Sequence, residues 1–99
     1  MKVRVLRLAL EDLAAGRRFY DQQAEGVGSY FFDSLFSEID SLVLHGGVHR
    51  IHFGFHRLLA HRFPFAIYYR IISGEVVVFR VLDCRRDPTW IRKALGRPG

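Results

Sequence analysis

Ninety-nine residues make one domain, because a chain this short cannot divide its apolar residues between two cores. A hydrophobic content of 49%, with nine phenylalanines, excludes a disordered chain. Fifteen Lys and Arg against ten Asp and Glu leave a net charge of +5, and arginine far outnumbers lysine, so an anionic partner is expected. The single cysteine, Cys84, excludes an internal disulfide framework and a cysteine-rich zinc site. Lys2, Arg4 and Arg7 interrupt the N-terminal apolar residues, and no run is long enough to span a membrane; a cytoplasmic location is expected.

Met1 to Leu8 alternates basic and aliphatic side chains, which predicts an edge strand. From Leu10 to Ala24 the spacing turns helical, with Leu10, Leu13, Ala14, Arg17 and Tyr20 down one side, and Gly26 and Gly28 stop it. Ser29 opens a second helix carrying Phe31, Phe32, Leu35, Ile39, Leu42 and Val43, which ends at Gly46-Gly47. The pair reads as an αα-hairpin. Val48 to Gly54 is irregular and rich in histidine.

Three strands follow. Phe65, Ile67, Tyr69 and Ile71 alternate with Ala66, Tyr68 and Arg70. In the next strand Val77, Phe79 and Val81 form the apolar set, with Val78, Arg80, Leu82 and Cys84 opposite. The two apolar sets share a face only if the loop between them is odd, so Ser73-Gly74-Glu75 is read as a three-residue hairpin loop. The same parity puts Leu58 and Ala60 in the core, and Arg57, Leu59 and His61 on the other side. A short last helix opens with Asp87 as N-cap and Pro88 at its first position, and Gly96 lies past its end. Trp90 is expected to pack that helix onto the sheet. The order β-α-α-β-β-β-α is an α+β fold, an αα-hairpin on an antiparallel sheet.

By alternation Arg57, Arg70, Arg80 and Arg86 fall on one sheet face, and a one-signed cluster there suits a surface that binds negative charge. Arg85 should face the other way, near Asp87. The same face offers a second chemistry. Metal-free RNA cleavage needs a base for the 2′-hydroxyl, cations for the phosphate and an acid for the leaving oxygen. His61 and Tyr68 would titrate, with Arg57 and Arg86 as the clamp. His45, His49, His52, His56 and His61 crowd one stretch, but Gly54 interrupts the His52–His56 spacing, and they are read as loop or surface residues rather than metal ligands. No metal and no cofactor is expected.

The chain resembles the RelE/ParE superfamily, the small basic toxins of type II toxin–antitoxin modules, also called plasmid stabilization proteins. The resemblance runs through Glu11-Asp12-Leu13, Phe19-Tyr20, Gly26-Val27-Gly28 and Phe32, then Arg57, Arg62-Phe63-Pro64-Phe65 and Ile67-Tyr68-Tyr69. It closes with Arg80-Val81-Leu82 and Arg85-Arg86-Asp87-Pro88 before Trp90. It implies the β-α-α-β-β-β fold over residues 1–99 and an acidic antitoxin as partner. It also implies one of two targets: DNA gyrase in the ParE branch, or mRNA on the ribosome in the RelE branch. Arg57 and Arg86 stand at basic positions of the RelE branch, whereas Leu59 and Ala66 replace two others, and Trp90 or Ile91 falls where that branch has a tyrosine. The chain is therefore nearer the ParE branch, with a ribosome-dependent mRNA endonuclease as the alternative and a non-toxic binding relative as the third reading.

Overall fold

The computed structural model describes residues 1–97. In chain order the elements are β1 (Lys2–Val5), α1 (Arg7–Gln23), α2 (Val27–Asp40), α3 (Leu42–His45), β2 (Ile51–His52), β3 (Phe55–Leu59), β4 (Phe65–Ile72), β5 (Glu75–Asp83) and α4 (Pro88–Leu95). The strands form one sheet in the order β1-β5-β4-β3-β2. β1 lies parallel to β5, while the other neighbours are antiparallel, so the sheet is mixed rather than wholly antiparallel.

The α1–α2 hairpin covers one face of the sheet. Leu13, Phe31, Leu35 and Ile39 from the hairpin meet Ile67, Tyr69, Val78 and Val81 from the strands, all essentially without solvent contact. Gly16 is what lets the helices approach: a Cβ there would lie 2.5 Å from the Phe31 ring. Asp21 fixes the turn between them by accepting a 2.9 Å hydrogen bond from the Gly28 N–H at the start of α2. The helix expected to run from Ser29 to Gly46 instead stops at Asp40 and resumes for one turn as α3. At the break the Ser41 hydroxyl donates to the Glu38 carbonyl at 2.6 Å, a local bond that competes with the helical ladder.

The β4–β5 hairpin corrects the parity expected from the sequence. Ile72 pairs with Glu75, so the loop is the two residues Ser73-Gly74, both at positive φ (51° and 77°). An even loop puts Val76 and Val78 beside Ile71 and Tyr69. A bulge then leaves Phe79 as the extra residue between the pairs Tyr69–Val78 and Tyr68–Arg80, and it returns Val81 to the hairpin side opposite Ile67. Of the expected set Val77, Phe79 and Val81, only Val81 joins the core under the hairpin; Val78 belongs there and Phe79 does not.

The other sheet face is covered in part by α4. Asp87 caps it, accepting from the Thr89 N–H at 2.7 Å, and Ile91, Ala94 and Leu95 pack on Phe55, Ala66, Tyr68 and Leu82. Trp90 is not among them; it stays 38% exposed, because the buried stripe of so short a helix has room only for the other three.

The histidine-rich segment is more ordered than its sequence suggests. Ile51–His52 forms the short β2, and the Tyr69 hydroxyl sits 2.9 Å from the Gly47 N–H and 2.6 Å from His49 Nδ1. His56 stacks on the Tyr69 ring, and its Nδ1 lies 2.7 Å from the His49 carbonyl oxygen.

Candidate functional site

Directly opposed residues in an antiparallel sheet share a face, so the register sets Arg57 of β3, Tyr68 of β4 and Arg80 of β5 in one row on the α4 side. The three differ in what they can do. Tyr68 is wholly buried, and its hydroxyl has no hydrogen-bond partner among the described residues. Burial raises the phenol pKa, while the Arg57 guanidinium beside it pulls the other way. Arg57 is half-buried and forms no ion pair with a carboxylate among the described residues.

Arg80 is not part of an open arginine face. It is 7% exposed and forms a two-pronged pair with Asp12 of α1, Nε to Oδ2 at 2.7 Å and Nη2 to Oδ1 at 2.8 Å. Its Nη1 donates to the Ala94 carbonyl of α4 at 2.8 Å. Asp12 Oδ2 also accepts the Val81 N–H at 3.0 Å, on the edge of β5 beyond the last β1 pair at Val78. Arg80 therefore ties α1, β5 and α4 together, and its charge is spent inside the fold; the hydrogen bond to Asp12 raises its pKa still further. Alternation identified the face but could not reveal a carboxylate 68 residues away that closes over it.

Arg70 and Arg86 do stand at the surface, at separate places. Arg70 lies 3.8 Å above the Phe55 ring and 5.5 Å from that of Phe79, with Nε donating to the Gly54 carbonyl at 3.0 Å. Arg86 lies 3.9 Å over the Trp90 ring. Trp90 thus supports an arginine instead of the sheet. Beside this pair a groove of about 250 Å³ runs between α1 and β5, walled by Phe19, Tyr20, Phe65 and Leu82. Arg85 pairs with Asp83, Nη2 to Oδ2 at 2.7 Å, and this bond holds the Asp83 carboxyl below the usual carboxylate range.

His61 is turned toward the hairpin. Its backbone N–H and Nδ1 both meet Glu38 Oε2 of α2, at 3.0 and 2.9 Å. The four residues expected to serve RNA cleavage are therefore not assembled: Arg57 and Tyr68 are neighbours, Arg86 stacks on Trp90, and His61 is held by a carboxylate at α2. What the α4 side does offer is cations braced on aromatic rings, an arrangement suited to holding an anionic partner. The sequence singled out Arg57, Arg70 and Arg86 for that role and missed Arg92 of α4, which lies 5.3 Å from the Phe53 ring. Its only signal was its place in a basic last turn beside Lys93.

No family model and no curated protein sequence matches the chain. Among solved structures, a chain of the chromosomal ParDE toxin–antitoxin system from P. aeruginosa is similar, with a TM-score of 0.73 at 22% identity. The match covers 82% of this chain and 92% of that one. The fold is thus RelE/ParE-like, as the sequence resemblance implies. Among the described residues no helix is long and apolar enough to cross a membrane.

Proposed function

We propose that this chain is the toxin of a type II toxin–antitoxin module, acting by binding a macromolecular target, DNA gyrase, and neutralised by a cognate acidic antitoxin. The observation that carries the reading is the RelE/ParE-like fold, matched over most of both chains by the ParDE structure. Binding rather than cleavage is favoured because the titrating groups are dispersed. Tyr68 is buried, and His61 is engaged by Glu38 away from Arg86. Arg57, Arg70 and Arg86 are the proposed target contacts, each free of a carboxylate partner among the described residues. The antitoxin would cover the apolar side chains left exposed on the hairpin, Phe19 (50% exposed) and Tyr30 (48% exposed), and pair with the basic edge strand β1.

Two assays on the purified protein test the proposal side by side: supercoiling of relaxed plasmid by gyrase, and mRNA integrity on translating ribosomes. The expected result is blocked supercoiling with mRNA intact. Ribosome-dependent cuts with gyrase unaffected would establish the endonuclease reading instead. No effect in either assay, together with unimpaired growth on induction, would leave the non-toxic relative.

A further inference from the structure

The turn between β2 and β3 is built from an ill-suited residue. Phe53 and Gly54 occupy it with φ of 58° and 84°. Glycine adopts that region freely, and asparagine does so at little cost, but a bulky aromatic side chain there is strained. The hairpin imposes this conformation on Phe53 at its tip, where the residue is 37% exposed.

That ring forms one wall of a cradle of about 430 Å³, completed by Phe55 and Phe79 and by Arg70, Arg92 and Arg97. The volume falls within the range of small-ligand sites, roughly 300–1,000 Å³. No acidic side chain lines it, and none of the three arginines pairs with a carboxylate among the described residues. Converging guanidiniums repel one another unless an anion lies between them. Arg70 is already oriented, clamped at Nε by the Gly54 carbonyl at 3.0 Å and stacked on Phe55 at 3.8 Å. Its terminal nitrogens have no protein acceptor among the described residues.

We infer that this cradle binds a nucleotide, with the base stacked on Phe53 and the phosphate held among Arg70, Arg92 and Arg97. Guanidiniums alone would suit any anion. A flat aromatic surface beside them selects an anion that carries its own ring. Phe55 already carries Arg70, and Arg92 lies 5.3 Å from the Phe53 ring, so the surface left to a ligand is the exposed part of Phe53. An acidic peptide held by the arginines would leave that part uncovered, whereas a duplex would hide its base faces. The ligand is therefore an unpaired nucleotide, either free or within a single strand. The site lies at the β2–β3 turn and the end of α4. It shares Arg70 with the proposed target contacts but neither Arg57 nor Arg86, and its Phe53, Arg92 and Arg97 test it whether or not the chain is a toxin.

The test is fluorescence anisotropy of a labelled ten-residue oligo-uridine with the full chain at low salt. Binding is expected, at least tenfold tighter than to a duplex of the same length. Phe53→Leu keeps apolar bulk but removes the stacking face, and should weaken binding about 5- to 100-fold. Arg92→Gln should weaken it and flatten the salt dependence by about one unit of slope. Arg18→Gln, which removes an equal charge from the exposed surface of α1, should change little. Unchanged melting temperatures establish that the variants are folded, and Arg92→Gln tests the site even if Phe53→Leu is not. Displacement of the probe by millimolar uridine monophosphate would assign the free nucleotide as a sufficient ligand; displacement by unlabelled strand alone would assign the single strand. The proposal is overturned by no binding, by equal affinity for duplex, by an equal loss in Arg18→Gln, or by a Glu- and Phe-containing peptide that displaces the probe more strongly than the unlabelled strand.

Discussion

The two faces of the sheet solve the burial problem in different ways. Under the α1–α2 hairpin the contacts are aliphatic and aromatic, with Phe31 stacked on Tyr20 and edge-on to Phe63 and Phe65. On the α4 side arginines are worked into the structure: Arg80 by a carboxylate, Arg70 and Arg86 by aromatic rings. The first face is closed for stability. The second keeps cations at the surface at modest cost, because a guanidinium on a ring is braced without being neutralised. Within the row beneath α4 the Arg80 charge is consumed by Asp12, while Arg57 forms no ion pair among the described residues. Arg70 and Arg86, outside that row, stay at the surface.

Phe31→Ala tests the dry face, and should cost about 3–5 kcal/mol in chemical denaturation, since a ring with no exposed surface leaves a cavity against Gly16. A loss below about 1 kcal/mol would mean that the hairpin is not packed as described. Next in size is Asp12→Ala. It strands the Arg80 guanidinium and the Val81 N–H together, and about 3 kcal/mol should be lost, with α4 loosened as well. Amide exchange in α4 that stays as slow as in the parent would contradict the tie among α1, β5 and α4.

A smaller effect should appear with pH. The Tyr69 hydroxyl accepts from the Gly47 N–H and lies 2.6 Å from His49 Nδ1, a contact in which the neutral imidazole can take the phenol proton. Burial, then the neighbouring His56 and His45, lower the His49 pKa. The unfolded chain therefore takes up this proton first. The stability is fully present above the unfolded value of about 6.5 and is lost as pH falls through the folded one. Denaturation midpoints at pH 7.5 and 5.5 should differ in that direction, and His49→Gln should shrink the difference; a midpoint that rises on acidification would refute the assignment. Smallest of all, Arg70→Ala should change stability by less than about 1 kcal/mol, as for an exposed cation over a ring. A loss comparable to that of Asp12→Ala would erase the distinction between the two kinds of arginine.

Much of this was legible in the sequence, and the misses share a cause. Helical spacing gave α1 and α2, and Asp87-Pro88 gave the start of α4, because caps and periodicity are local signals. The β5 register was not legible, since Val76-Val77-Val78 is apolar without alternation and fits either face. A two-residue loop plus a bulge at Phe79 gives Val81 the same placement as a three-residue loop. The alternation read along Val77, Phe79 and Val81 therefore placed Val81 correctly and misplaced Val77, Val78 and Phe79. Arg80 was assigned to the correct face, but its burial depends on Asp12, and a pairing across most of the chain leaves no local trace. Asp12 offered only a faint hint, an acid on the margin of the α1 stripe that contains Ala9 and Leu13.

The central claim, that the chain acts by binding rather than by its own chemistry, is tested most directly by growth after induction without a partner. The comparison is between the parent, the combined variant Arg57→Ala/Arg70→Ala/Arg86→Ala, and His61→Ala, each shown to be folded and equally expressed. The combined variant removes charge-assisted contacts worth about 1.5–3 kcal/mol each and should relieve arrest, while His61→Ala should arrest growth as the parent does. Arrest that survives in the combined variant and disappears in His61→Ala would contradict the account.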